Sequence, residues 1–388
     1  MCDTHAEFLA TALPESQTWD SATDADPAQN LPGGPAVLLF VDERERPVSL
    51  FSTQQLKRFV RTRLAEPVQP QRGRANLAEV VRGVRWRGVH NAFDARWWYY
   101  RVARVLYPRE YRKQLSFGRA WFLHVDWQPR VAEIRVTERV WSSAGEYVGP
   151  WATRKACQAA LEGLWDLFDL CRHPEQIRRA PDGTACAYAE MGRCDAPCDG
   201  SVPLDAYVER CRAAWQFAGG GAERWLEAAE QRMRALAAEQ QYELAAKVKA
   251  QLSFARGWAE QWGPHVRPAA RLNYFIALPV TRRRAWVPYL FRGGHLIGGP
   301  VFPERRVGER VSEWLGAQVE CALEPLDDSV RMEQTWLVCQ LFLHRERQAA
   351  VVVELPDLRV PDDMAASVGE AVAALRERPS EDEISGDS

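Results

Sequence analysis

Four cysteines, Cys171, Cys186, Cys194 and Cys198, fall within 28 residues of one another in the run CRHPEQIRRAPDGTACAYAEMGRCDAPCDG, spaced C-x14-C-x7-C-x3-C. Thiolates are soft ligands, and four of them suit zinc or an iron–sulfur cluster. Cys194 and Cys198 flank Asp195-Ala196-Pro197, a turn that can aim two sulfurs at one ion. The spacing matches neither the two-pair zinc finger nor the ferredoxin run, so spacing alone does not name the metal. The alternative is a set of ordinary buried thiols; the crowding of four of the nine cysteines into one short run favours a metal centre. Cys2, Cys157, Cys211, Cys321 and Cys339 read as free thiols, with Cys211 near enough in sequence to replace Cys171 as a ligand.

Residues 222–256 follow, reading AERWLEAAEQRMRALAAEQQYELAAKVKAQLSFAR. Apolar positions recur as Leu226, Ala229, Met233 and Leu236, then as Tyr242, Ala245, Val248 and Leu252. This is helical spacing in two registers, broken at Glu239-Gln240-Gln241, and it predicts two helices in a hairpin. An isolated hairpin cannot bury both apolar stripes, so it packs on a partner or on its own chain. On pattern alone the favoured reading is a structural coiled segment.

The cysteine run ending GRCDAPCDG, followed by a hairpin carrying QYELAAKVKAQL, resembles the UvrC excinucleases of bacterial nucleotide excision repair. The resemblance covers residues 33–300, and its specific parts are the cysteines and the hairpin. It implies a cysteine-ligated iron–sulfur centre, 4Fe–4S rather than zinc, on Cys171, Cys186, Cys194 and Cys198. It also implies that the hairpin is a UVR motif that docks onto UvrB, the helicase of the excinuclease. The motif's aromatic-Glu-x-Ala-Ala core is kept as Tyr242, Glu243, Ala245 and Ala246, while an Arg-Asp pair is replaced by Lys249 and Ala250. The implied partner-facing set is Met233, Tyr242, Glu243, Ala245, Ala246 and Lys249. GEYVGPW, from Gly145 to Trp151, resembles the Tyr-Phe-Gly-Pro segment that precedes the cysteines in this family.

The chain has 388 residues, room for two to four modules that each bury a core. An apolar fraction of 46% with 16 tryptophans excludes a disordered protein. The formal charge of −2 carries no whole-chain nucleic-acid signal. No apolar run approaches the ~20 residues of a membrane span, and the acidic N-terminal stretch lacks the pattern of a secretory signal. The chain reads as cytoplasmic, where thiols stay reduced or bind metal.

Residues 1–30 read as a polar tail, closed by Pro32-Gly33-Gly34-Pro35. AVLLFV (36–41) and PVSLF (47–51) predict a β-hairpin around Asp42–Arg46. A helix is expected with Leu56, Phe59, Val60 and Leu64 on one face, a second over 92–107 ending at Pro108, and strands at 120–127 and 131–141. This order resembles the GIY-YIG nuclease module that opens the UvrC proteins. The gap-free alignment from Ala36 to Val60 puts the family's first motif tyrosine on Leu38, the second motif's tyrosine and glycine on Ser49 and Phe51, the lysine on Ser52 and the catalytic arginine on Phe59. Counting back from Pro108, its metal-binding glutamate falls on Tyr99. Such a nuclease needs a carboxylate for a divalent cation and polar groups for water and phosphate. Leucine, serine, phenylalanine and tyrosine do not hold Mg²⁺. The fold is expected to be kept and the chemistry lost, unless Asp94 or Glu110 substitutes. No catalytic residue is assigned.

Between Thr53 and Arg119 there are 16 Lys/Arg and 4 Asp/Glu, a net of +12. Trp86, Trp97, Trp98 and Trp121 interleave with Arg85, Arg87, Arg96 and Arg119. Basic side chains with aromatic platforms fit a DNA surface, with Arg58, Arg61, Arg85, Arg87, Arg96, Trp97 and Trp98 as contacts. The alternative is that arginine stems cover a tryptophan-rich core. Residues 272–280, 285–291 and 295–303 predict strands, with a tight turn at Arg292-Gly293-Gly294. They resemble the linker before the family's RNase H-like nuclease. Fewer than 90 residues remain, with aspartates at Asp327-Asp328, Asp357 and Asp362-Asp363 before the polar end, and the stretch is too short for that domain.

The expectation is an α+β, multi-module protein. Its modules are a disordered tail (1–30), a degenerate GIY-YIG-like module (31–155), a cysteine region (156–212), a UVR-like hairpin (213–262), a β-rich module (263–356) and an acidic tail (357–388). The expected function is a nuclease-inactive, DNA-binding excision-repair accessory that docks a repair partner. The alternatives are an active single-incision GIY-YIG-type endonuclease, and an iron–sulfur redox or metal-sensing regulator.

Overall fold

The computed structural model describes residues 2–19, 26–65, 77–115, 117–128, 130–281, 283–343, 350–356 and 360–376. The chain is α+β. It divides into one unit of Met1–Phe117 with Leu278–Val287 and Val301–Arg305, and a second of Gly118–Ala277 with Pro288–Pro300 and Arg306–Ser388. Among the described residues no helix is long and apolar enough to cross a membrane.

The first unit is built on a sheet of order β1-β4-β2-β3 in which every pair is antiparallel. Strand β2 (Ala36–Val41) is buried at all six residues, which is why AVLLFV carries no alternation: helices cover it, with Leu56 and Val60 of the second helix packed in one core with Leu38 and Phe40, and a later helix, residues 92–106, also against β2. β3 (Pro47–Thr53) returns from the expected turn, where the Asp42 carboxylate accepts the Arg44 and Arg46 N–H groups, both at 2.9 Å. On the other side lie β4 (Gly83–Gly88) and, beyond it, β1 (Glu15–Thr18). Helices α1 (Cys2–Ala12), α2 (Leu56–Leu64), α3 (Leu77–Val80) and α4 (Ala92–Leu106) complete the unit. Leu38, Phe40, Leu56, Val60, Val84 and Trp86 lie in one core.

The N-terminal stretch departs from the expected tail. It forms α1 and β1, and Trp19, Ala28 and Leu31 enter the core of this unit. These apolar residues are scattered rather than periodic, so they left no pattern to read.

The second unit begins with a sheet of order β6-β5-β7-β8, formed by β5 (Trp121–Val125), β6 (Arg135–Thr137), β7 (Glu146–Trp151) and β8 (Arg267–Pro268). The strand expected over 131–141 shrinks to the three residues of β6. A turn ends it: Arg139 N–H bonds the Thr137 hydroxyl at 3.0 Å and Trp141 takes a left-handed φ of 72°. Helix α5 (Arg154–Leu167) starts at Thr153, whose side chain accepts from Ala156 N–H. Two single turns, α6 (Pro174–Ile177) and α7 (Ala187–Glu190), cross the cysteine region. Then come α8 (Leu204–Gln216), a glycine kink at Gly219–Gly221 with Gly220 at φ 113°, α9 (Ala222–Ala238) and α10 (Tyr242–Gln261).

A third sheet has the order β11-β10-β9-β13, with β12 beside β10. It uses β9 (Tyr274–Pro279), β10 (Ala285–Arg292), β11 (His295–Gly298), β12 (Phe302–Pro303) and β13 (Val351–Glu354). Helices α11 (Val307–Glu320) and α12 (Asp328–Leu343) fall inside the stretch expected to be β-rich, and α13 (Met364–Arg376) inside the expected acidic tail. Helix α12 is buried nearly all round, Glu333, Gln334, Thr335 and Gln340 included, so it shows no amphipathic stripe. Asp357 and residues 377–388 lie outside the described residues.

Candidate functional site

The cysteine region follows from where its turns fall. Cys171 comes three residues after the C-cap of α5, and Cys186 is the N-cap of α7. Cys198 sits in a one-turn 3-10 helix entered through Ala196 at φ 51°, which folds the DAPC turn back on the chain. Gly183 N–H then donates to the Cys198 carbonyl at 2.8 Å. A Cβ at Gly183 would stand 2.8 Å from that oxygen, so glycine is what lets the two loops close.

This closure brings the sulfurs together in a chain. Cys171 and Cys194 hydrogen-bond to each other, and Cys198 lies within electrostatic reach of Cys194 and Cys186. The bond to Cys171 draws Cys194 down to about 6 against its burial, with help from the Ala196 N–H and the Arg210 guanidinium. Cys171 is pushed up, first by that same bond and then by burial. Cys171 also accepts His173 N–H at 3.4 Å, and the Cys198 thiol donates to the Thr184 carbonyl at 3.5 Å. Among the described residues no three His, Cys, Asp or Glu side chains converge as a ready-made metal site. Cys211 is buried one step away, hydrogen-bonded to Tyr207, which faces Cys171.

Two arginines that sequence reading passed over bear on what these thiols can hold. Arg172 pairs with Asp166, and Arg210 with Asp195 at 2.5 Å. Arg172 Nη1 and Arg210 Nη2 are nonetheless buried with no hydrogen-bond partner. Buried N–H donors beside soft thiolates are what an anionic sulfur-ligated centre requires of its surroundings. The donor types suit zinc or an iron–sulfur cluster, although no three of these side chains converge on one point among the described residues. The only sequence signal was adjacency: Arg172 follows Cys171, and Arg210 precedes Cys211.

Most of the positions that the expected alignment gives to the reactive groups of a GIY-YIG nuclease are taken up by packing. Leu38 is fully buried and pairs across the sheet with Trp86 and Phe51. Phe51 lies 5.6 Å from Phe40 and 5.2 Å from Phe59, ring centre to ring centre. The Arg63 guanidinium covers both Phe51 and Phe59, at 5.4 and 5.5 Å. The Tyr99 hydroxyl donates to Gln114 at 3.3 Å. Asp94 is buried in the first turn of α4, where its carboxylate accepts His90 N–H at 3.0 Å. Glu110 is exposed beyond the other end of α4, about 20 Å along the axis, too far to share an ion with Asp94.

The expected DNA contacts divide. Trp97 is 6% exposed and stacks on Tyr100 at 5.9 Å, so it is a core residue and not a platform; its neighbour on the helix, Trp98, is half-buried. Trp98 lies between the guanidiniums of Arg87 at 3.9 Å and Arg101 at 4.5 Å. Arg61 pairs with Asp26 at 2.5 Å and Arg85 with Glu45 at 2.7 Å. Arg58 is exposed and Arg96 half-buried.

Helices α9 and α10 form the expected antiparallel hairpin, turned by Gln240 at φ 59°. Ala229, Val248 and Leu252 make its small core, with Trp225, Leu226, Met233 and Leu236 against them. Met233 therefore faces inward and Ala245 is half-buried, while Glu243, Ala246 and Lys249 are exposed. Tyr242 is 67% exposed and Leu244 51%.

Residues 120–217 match the family model described as UvrC/Cho excinuclease, middle domain. UvrABC system protein C of Syntrophotalea carbinolica is 28% identical over 130 residues, 34% of this chain and 21% of that protein. The Parafrankia protein of the same description is 26% identical over 235 residues, 59% of this chain and 34% of its own length. That of Shewanella halifaxensis is 30% identical over 133 residues, 34% and 21% of the two chains. The chain thus spans between a fifth and a third of the length of these curated relatives. No solved structure matches it. From the strand at Trp121 to the helix that carries Cys211, the chain is thus similar to the middle domain of the UvrC/Cho excinucleases.

Proposed function

We propose that this protein serves nucleotide excision repair as a DNA-binding scaffold that docks a repair partner and does not itself cut DNA. The observation that carries this is the filled nuclease face. Leu38, Phe51 and Phe59 pack where water, phosphate and a cation would have to be handled, and the two acids considered as substitutes, Asp94 and Glu110, stand at opposite ends of one helix. A phosphodiesterase centre needs a carboxylate-held cation beside groups that activate water. Packed aromatic carbon supplies neither.

In this reading Cys171, Cys186, Cys194 and Cys198 hold an iron–sulfur cluster, with the buried N–H groups of Arg172 and Arg210 donating towards its sulfur. The cluster when bound supplies a cross-link between loops and a redox-active centre. The hairpin supplies the docking face: Tyr242 and Leu244 project where α10 begins, and the helicase UvrB is the expected partner.

The test is incision of a lesion-bearing duplex by anaerobically purified protein with Mg²⁺ or Mn²⁺, alongside a binding measurement on the same DNA. Binding without incision is expected. Incision that is lost in Asp94→Ala or Glu110→Ala would refute the scaffold reading and establish an active endonuclease.

A further inference from the structure

We propose that the acidic N-terminal segment is an intramolecular competitor of nucleic acid, laid on the basic face of the first unit and displaced when DNA binds. The inference rests on the DNA-binding reading above and goes beyond it by naming the face and what regulates it.

Charge is the first argument. Residues 1–31 contain six acids (Asp3, Glu7, Glu15, Asp20, Asp24 and Asp26) and no lysine or arginine. The stretch from Thr53 to Arg119, which shares this unit, carries the chain's concentrated positive charge.

Contacts are the second argument, and they fall on the candidate DNA residues themselves. Asp26 Oδ2 accepts from Arg61 Nη2 at 2.5 Å. The Gln29 carbonyl accepts from Lys57 Nζ at 2.6 Å. Arg87 donates through Nε to the Ala12 carbonyl at 2.6 Å and through Nη2 to the Thr11 carbonyl at 2.5 Å. These carbonyls end helix α1, where the helix dipole places partial negative charge. Arg101 lies over the Phe8 ring at 5.7 Å. A carboxylate and helix-end carbonyls on two arginines and a lysine are the kind of acceptor that phosphates would offer the same side chains.

The third argument is how the segment is attached. Trp19, Ala28 and Leu31 are in the core and hold it to the unit. Over residues 5–11 of α1, only Phe8 and Leu9 are even half-buried. Exposed ion pairs hold weakly. The outer contacts can therefore be exchanged for phosphates while the core anchors stay in place.

The experiment uses the full chain and a fluorescent duplex, with anisotropy read from 50 to 200 mM salt. Asp26→Asn keeps the oxygen that accepts Ala28 N–H at 3.0 Å and removes the charge on Arg61. Phe8→Ser loosens α1. Each should tighten binding about two- to fivefold, the size of one exposed pair. Freeing Arg61 should steepen the slope of log affinity against log salt by about 0.9. Arg61→Gln should matter little in the wild type and weaken binding in the Asp26→Asn background. Hydrogen exchange on the wild type, which needs no variant to fold, should show residues 5–13 losing protection when DNA is added. If the wild type binds DNA and neither variant binds tighter, the competitor is refuted and the DNA-binding reading stands. Unchanged exchange on DNA binding also refutes it. If no form binds at 50 mM salt, both readings fall.

Discussion

Gly163 on α5 marks where the hairpin is seated on the middle domain. A Cβ built there would stand 2.1 Å from Cζ and 2.4 Å from Cε2 of Phe254, on α10. That ring also packs on Trp258 at 6.2 Å. Two effects compete in Gly163→Ala. Alanine in a helix interior is favoured over glycine by about 1 kcal/mol. Against this, an ordinary carbon contact needs more than 3.4 Å, so the phenyl must move by over 1 Å, and overpacking of this kind costs about 1–3 kcal/mol. Driving a half-buried phenyl out loses about 1 kcal/mol more of burial. The net expectation is destabilisation of about 1–3 kcal/mol, a fall of roughly 2–4 °C in Tm per kcal/mol for a unit of this size. The sign must reverse without the ring: in a Phe254→Ala background, Gly163→Ala should stabilise by about 0.5–1 kcal/mol. Urea unfolding of the four proteins by circular dichroism measures both. If Gly163→Ala is neutral or stabilising in the wild-type background, this contact does not hold the hairpin.

Tyr242→Ala should leave the melting temperature unchanged, because the side chain is 67% exposed, and weaken partner binding by about 2 kcal/mol in calorimetry against UvrB. A lowered melting temperature with unchanged binding would overturn the docking role. Cys194→Ser should lose bound iron or zinc on anaerobic elemental analysis while Cys211→Ser keeps it; the opposite result would put the ligand set at Cys211. His124 predicts a pH dependence of the second unit. It is buried, accepts Arg135 Nε–H on Nδ1 at 3.1 Å and bonds the Ala144 carbonyl through Nε2 at 2.8 Å. Burial holds its pKa below the ordinary 6.5. Below pH 6.5 the unfolded chain binds a proton that the folded one refuses, so stability is full above 6.5 and falls as pH drops towards the folded value, by at most about 1.4 kcal/mol per pH unit. His124→Gln should flatten that slope in unfolding titrations, and an unaltered slope would show that another group carries it.

What the sequence disclosed follows from how local each signal is. The β2–β3 hairpin, α2, α4 and the α9–α10 hairpin were all legible, since each has its own apolar period and a turn to end it. β4 was not, because GVRWRG spends most of its positions on glycine and arginine, and only its place between β1 and β2 makes it a strand. α12 was hidden by burial on all sides, which removes the polar face that pattern reading depends on. At the site, the four cysteines were legible as types and spacing. Arg172 and Arg210 were not, since an arginine beside a cysteine says nothing until burial strips its N–H of water. The burial of Trp97 was hidden for the same reason. Trp97 and Trp98 are adjacent in sequence, yet one turns into the core and the other lies between two guanidiniums.

That same contrast bears on the proposal that the first unit binds DNA without cutting it. Cationic groups set beside a strand make an active centre only if polar side chains stay unpacked enough to meet a substrate. Here β3 and α2 point Phe51 and Phe59 at each other, and Arg63 lies over both rings, so a cation that could meet phosphate covers aromatic carbon instead. Arg87 and Arg101 enclose Trp98 in the same way. Each substitution of a reactive group by an apolar one exchanges desolvated polarity for burial, which favours the folded state. The remaining basic side chains are then held in place by carbon. A guanidinium fixed over a ring loses less freedom on meeting a phosphate than one free in water. On the proposed reading, the packing that leaves no room for incision would also preorganise this face to bind a polyanion.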